Sequence, residues 1–192
     1  MVIGGRFGGR TLVAPRGRAT RPTPERVREA MFSILGGFGG LGGFGGLGGF
    51  GGFGGERVLD LFAGSGALGI EALSRGADEL TLVDSSAAAV AAIRRNLESL
   101  GAAAEVRRQR VLPFLGSARA SARQYDLVFV DPPYRQAPGL GPELSAALGP
   151  VLSPGARVVS ESDRRAPLEL ELEIVDERRY GDTLIRIHVL PR

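Results

Sequence analysis

The stretch Asp60-Leu61-Phe62-Ala63-Gly64-Ser65-Gly66-Ala67-Leu68-Gly69 decides the fold, because an apolar segment runs directly into a glycine string that opens a helix. Residues 57–62 form the predicted strand, the glycines are spaced G-x-G-x-x-G, and the predicted helix covers residues 67–75. In open α/β sheets such a turn lets a ligand approach the backbone at a helix N-terminus. The stretch therefore predicts a Rossmann-like βαβ unit with a ligand at the carboxyl end of its strand.

Segments of strand and helix character alternate after this loop. The predicted strands are residues 80–83, 104–108, 127–130 and 156–160, and the predicted helices are residues 87–100, 112–122 and 142–152. This alternation predicts an α/β fold with a parallel sheet and helices on both faces. The end of the chain differs, since residues 168–175 and 184–190 alternate apolar and polar side chains around the turn Tyr180-Gly181-Asp182. That pattern is typical of antiparallel strands.

The glycine loop alone fits two classes of ligand. Its backbone could approach the pyrophosphate of a dinucleotide or the amino-acid part of S-adenosylmethionine. Asp84, at the end of the second strand, could accept ribose hydroxyls in either class. Asp60 lies just before the glycines, where a carboxylate can reach the amino-acid end of the ligand. Because dinucleotides lack that group, Asp60 favours S-adenosylmethionine.

The tetrapeptide Asp131-Pro132-Pro133-Tyr134 follows the apolar strand 127–130, so it is expected at the carboxyl edge of the sheet, beside the ligand. It could be an ordinary turn, but next to the glycine loop it predicts a catalytic site. The Asp131 carboxylate and the Pro132 carbonyl can accept hydrogen bonds from an exocyclic amine, which aligns the lone pair of that amine with a methyl group. Pro132 and Pro133 would fix the backbone, and Tyr134 offers a ring on which an unstacked base can lie.

Composition excludes several other chemistries. The chain has no Cys, and methylation of pyrimidine C5 generally proceeds through a Cys adduct, so an amino group remains as the target. With no Cys and one His, His188, a transition-metal site is not expected. No apolar run approaches the ~20 residues that cross a bilayer, and the first 35 residues lack the apolar core of a secretory signal. The sequence therefore predicts a cytoplasmic protein with no membrane partner.

Positive charge is concentrated at the start of the chain. Residues 1–35 carry seven Arg against two Glu, a net charge of +5 in a chain whose total is +3. Contact with a phosphate backbone requires such a basic extension, although a solvated arm is the alternative. Residues 36–55 repeat Gly-Gly-Phe and Gly-Gly-Leu and predict a flexible linker. The chain is thus expected to divide into an N-terminal extension (1–35), a glycine-rich linker (36–55) and a catalytic domain (56–192).

The extension is predicted to contain a hairpin and a helix. Residues 2–3 and 11–14 would pair around a glycine-rich turn. Thr23 is then the expected N-cap of a helix whose apolar stripe must dock on another element. Arg26 and Arg28 are expected to face away from that stripe.

The motifs and their order resemble the bacterial 16S rRNA (guanine-N2)-methyltransferases of the RsmD type. The resemblance covers nearly the whole chain apart from the glycine tract. It rests on Ile3-Gly4-Gly5 with Gly9-Arg10, Arg21-Pro22-Thr23 with Arg26-Val27-Arg28-Glu29, and residues 59–66, 71–76, 130–134 and 180–183.

The resemblance implies a Rossmann-like class I S-adenosylmethionine-dependent methyltransferase with a seven-stranded, mostly parallel sheet and an antiparallel C-terminal strand. Its target would be a guanine N2 amine of 16S rRNA in an assembling small subunit, and a monomer is expected. The residues expected to bind the cofactor are Asp60, Phe62, Ala63, Gly64, Ser65, Gly66 and Asp84. The expected catalytic residues are Asp131, Pro132, Pro133 and Tyr134; Arg10, Arg21 and Arg26 would contact RNA, and His188 would be structural.

Two stretches of the sequence depart from the pattern of this family. Ser86 stands where the family often has a second acid after Asp84. Gln109 and Arg110 stand where it often has an Asp or Asn near the adenine of the cofactor, so the sequence does not predict how adenine is recognised.

Three other functions remain open on the sequence. They are an amino-methyltransferase acting on adenine N6 of DNA or RNA or on a protein amide, a dinucleotide oxidoreductase, and a non-catalytic RNA-binding assembly protein. Amide methyltransferases usually carry Asn at the position of Asp131, so Asp131 and the basic extension favour a nucleic-acid base.

Overall fold

The structure, a computed structural model, describes residues 1–15, 24–37, 54–133 and 137–190. Seven strands lie in these ranges: β1 (Arg57–Leu61), β2 (Glu79–Asp84), β3 (Glu105–Arg108), β4 (Tyr125–Val130), β5 (Leu152–Asp163), β6 (Glu173–Tyr180) and β7 (Thr183–Val189). The helices there are α1 (Glu25–Gly37), α2 (Ala67–Ser74), α3 (Ala87–Leu100), α4 (Val111–Ala120) and α5 (Ala137–Leu148). No helix in the described part of the chain is long and apolar enough to cross a membrane. Arg21, Thr23, Tyr134 and most of the glycine tract lie outside the described residues.

The strands form one sheet in the order β3-β2-β1-β4-β5-β7-β6. Strands β1 to β5 pair in parallel, and β7 lies antiparallel between β5 and β6. The predicted seven-stranded, mostly parallel sheet is therefore confirmed. The strand order reverses between β1 and β4, and ligands of open α/β sheets bind at the carboxyl ends of strands at such a point.

Helices cover both faces of the sheet, as the alternation of segments predicted. On one face, buried side chains of α1, α2 and α3 share a core with Val58 and Phe129. On the other face, side chains of α4 and α5 share a core with Leu59 and Val128. Consecutive strand residues enter opposite cores because side chains alternate along a strand. The N-terminal arm, residues 1–15, joins the first core, so we call these the arm-bearing face and the far face.

Helix α1 docks on the arm-bearing face through its predicted apolar stripe, since Val27, Met31 and Leu35 are buried there. Near its C-terminal end, the buried Arg157 of β5 donates hydrogen bonds to the Leu35 carbonyl at 3.1 Å and to Glu56 Oε1 at 3.0 Å. One guanidinium therefore joins the last turns of α1 to the residue that precedes β1.

The prediction that Arg28 faces away from this stripe is wrong. Its side chain is only 3% exposed, and its Nη2 donates to the Met1 carbonyl at 2.6 Å. Burial lowers the pKa of Arg28, while the carboxylates of Glu71 and Glu25 oppose that shift. The start of the arm contacts this position, which the periodicity of α1 alone does not reveal. Arg26 is exposed, as expected.

The strand predicted over residues 168–175 is wrong in position, because β6 begins at Glu173. Leu168 and Leu170 are buried in the far-face core, but they lie in an extended segment outside the strands. Alternation of apolar and polar residues indicates which side chains are buried. It does not require that the backbone pairs with a neighbouring strand.

The predicted hairpin of the arm is also wrong, since residues 1–15 contain no strand. Val2 exchanges backbone hydrogen bonds with the Arg10 carbonyl (2.8 Å) and the Gly9 N–H (2.9 Å), around a 3-10 turn at Gly5–Phe7. Only one residue is therefore paired in this way, and Val13 is held by hydrogen bonds described below.

Helix α5 begins at Ala137, five residues earlier than predicted, with Pro142 inside it. A Pro at this position removes one backbone hydrogen bond of the helix. Leu144 and Leu148 of this helix are buried in the far-face core. The predicted last residue, 152, is instead the first residue of β5.

Candidate active site

Strand register brings the predicted site residues to one edge of the sheet. Leu61 of β1 lies opposite Val83 of β2 on one side and Val130 of β4 on the other. The next residue along each neighbouring strand is a carboxylic acid, Asp84 in one case and Asp131 in the other. Two loops with acidic residues therefore flank the glycine loop, residues 62–66, where the strand order reverses.

The glycine loop is a tight turn in which Gly66 has no room for a side chain. Phe62 has φ 59° and Gly66 has φ 78°, both in the left-handed region that favours glycine. A Cβ on Gly66 would come within 2.9 Å of Leu82 Cδ2. The Gly66 N–H donates to the Ala63 carbonyl at 2.6 Å, which closes the turn. A non-glycine residue in this region is strained, and such strain is often found at ligand sites.

Asp84 connects the glycine loop to the start of α3. Its Oδ2 accepts the Gly64 N–H at 2.9 Å, and its Oδ1 accepts the Ser86 N–H at 2.8 Å. Ser86, which replaces the second acid of the family pattern, is the N-cap of α3, and its Oγ accepts the Ala89 N–H at 3.4 Å. Each Asp84 oxygen thus accepts one backbone N–H and retains capacity for a second donor.

Asp60 is a buried carboxyl group beneath the glycine loop. Its Oδ2 accepts the Gly69 N–H at 2.9 Å. Burial raises the pKa of Asp60 to about 7, and the negative charge of Asp84 adds to the rise, while the Gly69 hydrogen bond opposes it. Gly69 is required for this approach, because a Cβ there would lie 3.1 Å from Asp60 Cβ and 2.7 Å from Leu80 Cδ1. A cation brought to Asp60 would restore its charged form.

The predicted catalytic loop continues from β4. Asp131 is partly buried, Pro132 is buried and Pro133 is exposed, while Tyr134 lies outside the described residues. Asp131 therefore follows the buried end of β4, residues 127–130, at the edge that carries Asp60 and Asp84.

Gln109 and Arg110, which depart from the family pattern, follow β3. This strand lies on the side of β2 away from β1 and the glycine loop. The Gln109 N–H donates to the Asp84 carbonyl at 3.1 Å, so this loop is tied to the end of β2. Arg110 occupies the N-cap position of α4, and its side chain makes no capping hydrogen bond. A basic residue is unfavourable at the positive end of a helix dipole, so this position is not optimised for helix stability.

The predicted RNA-contacting arginines occupy different environments. Arg10 is exposed on the arm, and its Nη2 donates to the Ser99 carbonyl of α3 at 2.7 Å. Arg26 is exposed in the first turn of α1. Arg21 lies outside the described residues.

Sequence reasoning missed the attachment of the arm to α2. Glu71 is fully buried, and its carboxylate accepts the Ile3 N–H at 2.7 Å and the Gly4 N–H at 2.9 Å. The Arg75 Nε also donates to it, at 2.7 Å. Gly5 allows the close contact, because a Cβ there would lie 1.9 Å from the Ser74 carbonyl. The signal was present in the sequence, since two of the motif strings, residues 3–5 and 71–76, are the two sides of this contact.

Asn96 of α3 is a second residue that the sequence did not single out. Its side chain is 1% exposed and bonds both to the backbone of Val13 in the arm and to the Ser65 carbonyl in the glycine loop. A polar residue within an apolar helical face was the only signal that could have found it.

His188 lies in β7 and is completely buried. Its Nε2 is 3.1 Å from Ser160 Oγ, and its Nδ1 is 3.4 Å from the Leu172 carbonyl. Burial lowers the pKa of His188, which favours the neutral ring. These contacts join β7 to β5 and to the segment before β6, as a structural role requires.

The chain matches the protein family described as Conserved hypothetical protein 95 over residues 1–189. It is 34% identical to YlbH of Bacillus subtilis, which is named as a candidate rRNA methyltransferase, over 97% of both chains. It is 37% identical, over 70% of its length, to Ribosomal RNA small subunit methyltransferase D of Escherichia coli K12. That match spans 60% of the E. coli protein.

Two solved structures are similar over nearly their whole length. A hypothetical protein of Thermus thermophilus is 30% identical with a TM-score of 0.79, and the match covers 98% of each chain. The E. coli protein YhhF, described as a candidate methyltransferase, is 32% identical with a TM-score of 0.78, covering 99% of this chain and 97% of YhhF.

Proposed function

Because the chain belongs to the family described as Conserved hypothetical protein 95, we propose that it transfers a methyl group from S-adenosylmethionine to the N2 amine of a guanine in 16S rRNA of the assembling small subunit. The observation that carries this proposal is the meeting of Asp60, Asp84 and Asp131 around the glycine loop. The name of the E. coli relative supports small-subunit rRNA as the substrate. The guanine N2 target rests on the motif resemblance.

The glycine loop, Asp60 and Asp84, which we call the cofactor half of the site, fit S-adenosylmethionine. When bound, that cofactor supplies an electrophilic methyl group on a positively charged sulfur. Asp60 suits the ammonium group in the amino-acid part of the cofactor. A buried carboxyl with a pKa of about 7 is strongly stabilised in its charged form by a nearby cation. Asp84 suits the ribose, since each of its oxygens has acceptor capacity left for a hydroxyl. Gly64 leaves open space for a ligand in this turn, because a Cβ there would have only the Phe62 carbonyl oxygen within 4 Å, at 3.9 Å.

Asp131, Pro132 and Tyr134, the substrate half of the site, would prepare the guanine amine for methyl transfer. The lone pair of an exocyclic amine is delocalised into the base, so the enzyme must draw it out of conjugation. We assign the Asp131 carboxylate and the Pro132 carbonyl as acceptors for the two amine hydrogens. Asp131 would then take the proton that the amine loses, since a carboxylate is the stronger acceptor of the two. Stacking of the base on Tyr134 stays a prediction.

The extension is the proposed RNA-contacting part, with exposed Arg10 and Arg26 as contacts and Arg21 as a further candidate. We retain the division into extension (1–35), glycine-rich linker (36–55) and catalytic domain (56–192) as a functional one. The enzyme would act as a monomer in the cytoplasm, where bacterial small subunits assemble, and would need no metal for a direct displacement.

The decisive test is methyl transfer to small subunits that lack the modification. Labelled S-adenosylmethionine is expected to yield one N2-methylguanine in 16S rRNA, located by mass mapping. Asp131→Ala is expected to abolish transfer while RNA binding is retained, and Asp131→Asn, which keeps an acceptor oxygen, is expected to retain partial activity. A methyl group found on adenine would instead assign the target to N6. RNA binding with no transfer by the unmutated protein would support a non-catalytic assembly protein.

A further inference from the structure

Asn96 joins two parts of the molecule that have separate proposed tasks. Its Oδ1 accepts the Val13 N–H at 2.7 Å, and its Nδ2 donates to the Val13 carbonyl at 3.0 Å and to the Ser65 carbonyl at 2.9 Å. The two hydrogens of one amide nitrogen are thus divided between the arm and the glycine loop. Because the side chain is buried, water does not compete for these hydrogen bonds.

On the loop side, Asn96 holds a single peptide group. The Ser65 carbonyl and the Gly66 N–H belong to the same peptide plane, and the Gly66 N–H is already bonded to the Ala63 carbonyl. The plane is therefore fixed at both ends, and its rotation would require one of the two hydrogen bonds to break. This peptide lies in the turn proposed to hold the amino-acid part of the cofactor.

On the arm side, Asn96 provides the attachment of Val13. The Val13 side chain is 50% exposed, so burial of apolar surface contributes little there. Among the described residues, the backbone hydrogen bonds of Val13 go to Asn96 alone. The amide side chain thus takes the place of the strand partner that residues 11–14 lack.

We propose that Asn96 is a positioning residue that couples docking of the arm to the shape of the glycine loop, and hence to affinity for the cofactor. The coupling rests on the proposed function, which assigns the cofactor to the loop and RNA to the arm. A docked arm holds the Asn96 amide in the orientation that bonds to Ser65, and an ordered loop holds it in the orientation that bonds to Val13. Because coupling between binding sites is reciprocal, RNA on the arm and cofactor in the loop strengthen the binding of each other.

Three substitutions test the coupling. Asn96→Asp keeps the size and the acceptor of Asn96 but removes both donors. Asn96→Ala removes all three hydrogen bonds, and Val13→Pro removes the N–H on the arm without changing α3. Ser74→Ala is the matched control, because Ser74 Oγ bonds to the arm at the Phe7 N–H and the Gly4 carbonyl and makes no hydrogen bond to the glycine loop in the described part of the chain.

Calorimetry with S-adenosylmethionine and amide hydrogen exchange give the readouts. We expect the three test variants to bind the cofactor roughly tenfold more weakly, within the range usual for coupled sites. Their KM for the cofactor should rise more than kcat falls. In the unmutated protein the cofactor should slow exchange of the Val13 amide, and Asn96→Asp should abolish that effect. Ser74→Ala should leave cofactor affinity within about twofold, because it loosens the arm only at Gly4 and Phe7 and leaves Val13 bonded to Asn96.

Unchanged cofactor affinity in a folded Asn96→Asp variant overturns the coupling. A lower melting temperature of that variant, with no change in cofactor affinity or in exchange of the Val13 amide, overturns it as well. If the substitutions at Asn96 prevent folding, Val13→Pro decides, since it leaves the core intact. Failure of the unmutated protein to bind S-adenosylmethionine is a different result. It would overturn the proposed function, and the coupling with it.

Discussion

The two faces of the sheet are stabilised by different interactions. On the arm-bearing face, four ionisable side chains are buried, and each makes a hydrogen bond to a backbone group: Arg28, Asp60, Glu71 and Arg157. The far-face core is formed by aliphatic and aromatic side chains of α4, α5 and the strands. One of its buried polar neighbours is the neutral Ser145, whose Oγ donates to a backbone carbonyl at 2.7 Å.

This difference shows what each face does for the site. Hydrogen bonds and ion pairs have strict geometry, so the arm-bearing face fixes the positions of the arm, α1 and the glycine loop relative to one another. Apolar burial is roughly proportional to area and has little directionality, so the far face contributes stability without specifying positions as closely. Substitutions on the two faces should therefore separate stability from cofactor binding.

The largest expected effect on the arm-bearing face comes from Arg157→Met. It removes the guanidinium from Glu56 and from the Leu35 carbonyl, and breaking one partner of a buried pair costs about 3–5 kcal/mol in free energy of unfolding. Denaturant unfolding measures this loss. Arg157 Nε has no hydrogen-bond partner among the described residues, so the pair is imperfectly satisfied.

The double variant Glu56→Leu with Arg157→Met is the control for that prediction. Replacing both charges by apolar groups is expected to recover most of the lost stability, because no buried charge is then deprived of its counter-charge. Equal losses in the single and double variants would mean that the fit of α1, and not the ion pair, supplies the stability.

On the far face, Leu144→Ala tests the other half of the comparison. Leu144 is completely buried in α5, and truncation of such a Leu costs about 2–5 kcal/mol in free energy of unfolding. Under conditions where the variant is folded, its affinity for S-adenosylmethionine should equal that of the unmutated protein. A large loss of affinity would show that the far face also positions the site.

Asp60→Asn is expected to stabilise the protein while it weakens cofactor binding. The pKa of Asp60 is about 7 in the folded protein, above the ordinary value of 3.8. Stability from this group is fully present below pH 3.8 and is lost as the pH rises to 7, up to about 4 kcal/mol on the conversion of pKa shifts to free energy. Asn stays neutral and still accepts the Gly69 N–H, so unfolding measured at pH 8 should show a more stable variant.

The same carboxyl predicts how cofactor affinity depends on pH. Because an ammonium group requires the charged form of Asp60, affinity of the unmutated protein should rise up to about tenfold per pH unit below pH 7 and level off above it. Calorimetric titrations from pH 5.5 to pH 8.5, as a series of about seven points, check the slope. The Asp60→Asn variant should show no such slope, and a slope that persists there assigns the titration to another group.

The sequence predicted interactions between neighbours in the chain better than those between distant residues. The turn at Gly66 and the capping of α3 by Ser86 depend on a few adjacent residues, and both the strand and the helix around each were predicted. The bonds of Ile3 to Glu71 and of Val13 to Asn96 join residues 68 and 83 positions apart. Periodicity identifies an apolar face but cannot show that a polar residue within it has a distant backbone partner, so Arg28, Glu71 and Asn96 were misjudged or missed.

The smallest expected effect concerns the surface of the arm-bearing face. Arg26 is exposed in the first turn of α1, so Arg26→Ala should change the free energy of unfolding by less than about 0.5 kcal/mol. If Arg26 contacts a phosphate, its loss should lower the slope of log affinity for rRNA against log salt concentration by roughly 0.7–0.9. Filter binding over a series of salt concentrations measures that slope.

Arg119→Ala is the matched control, because Arg119 is an exposed arginine on α4 of the far face. Removal of either arginine lowers the net charge equally, so a general effect of charge would change both slopes alike. A change in the Arg26 variant alone would assign RNA to the face that also holds the arm, Asn96 and both carboxylates of the cofactor half. Equal changes in the two slopes would mean that RNA is attracted by the total charge of the protein. The prediction of a contact specific to the arm-bearing face would then be wrong.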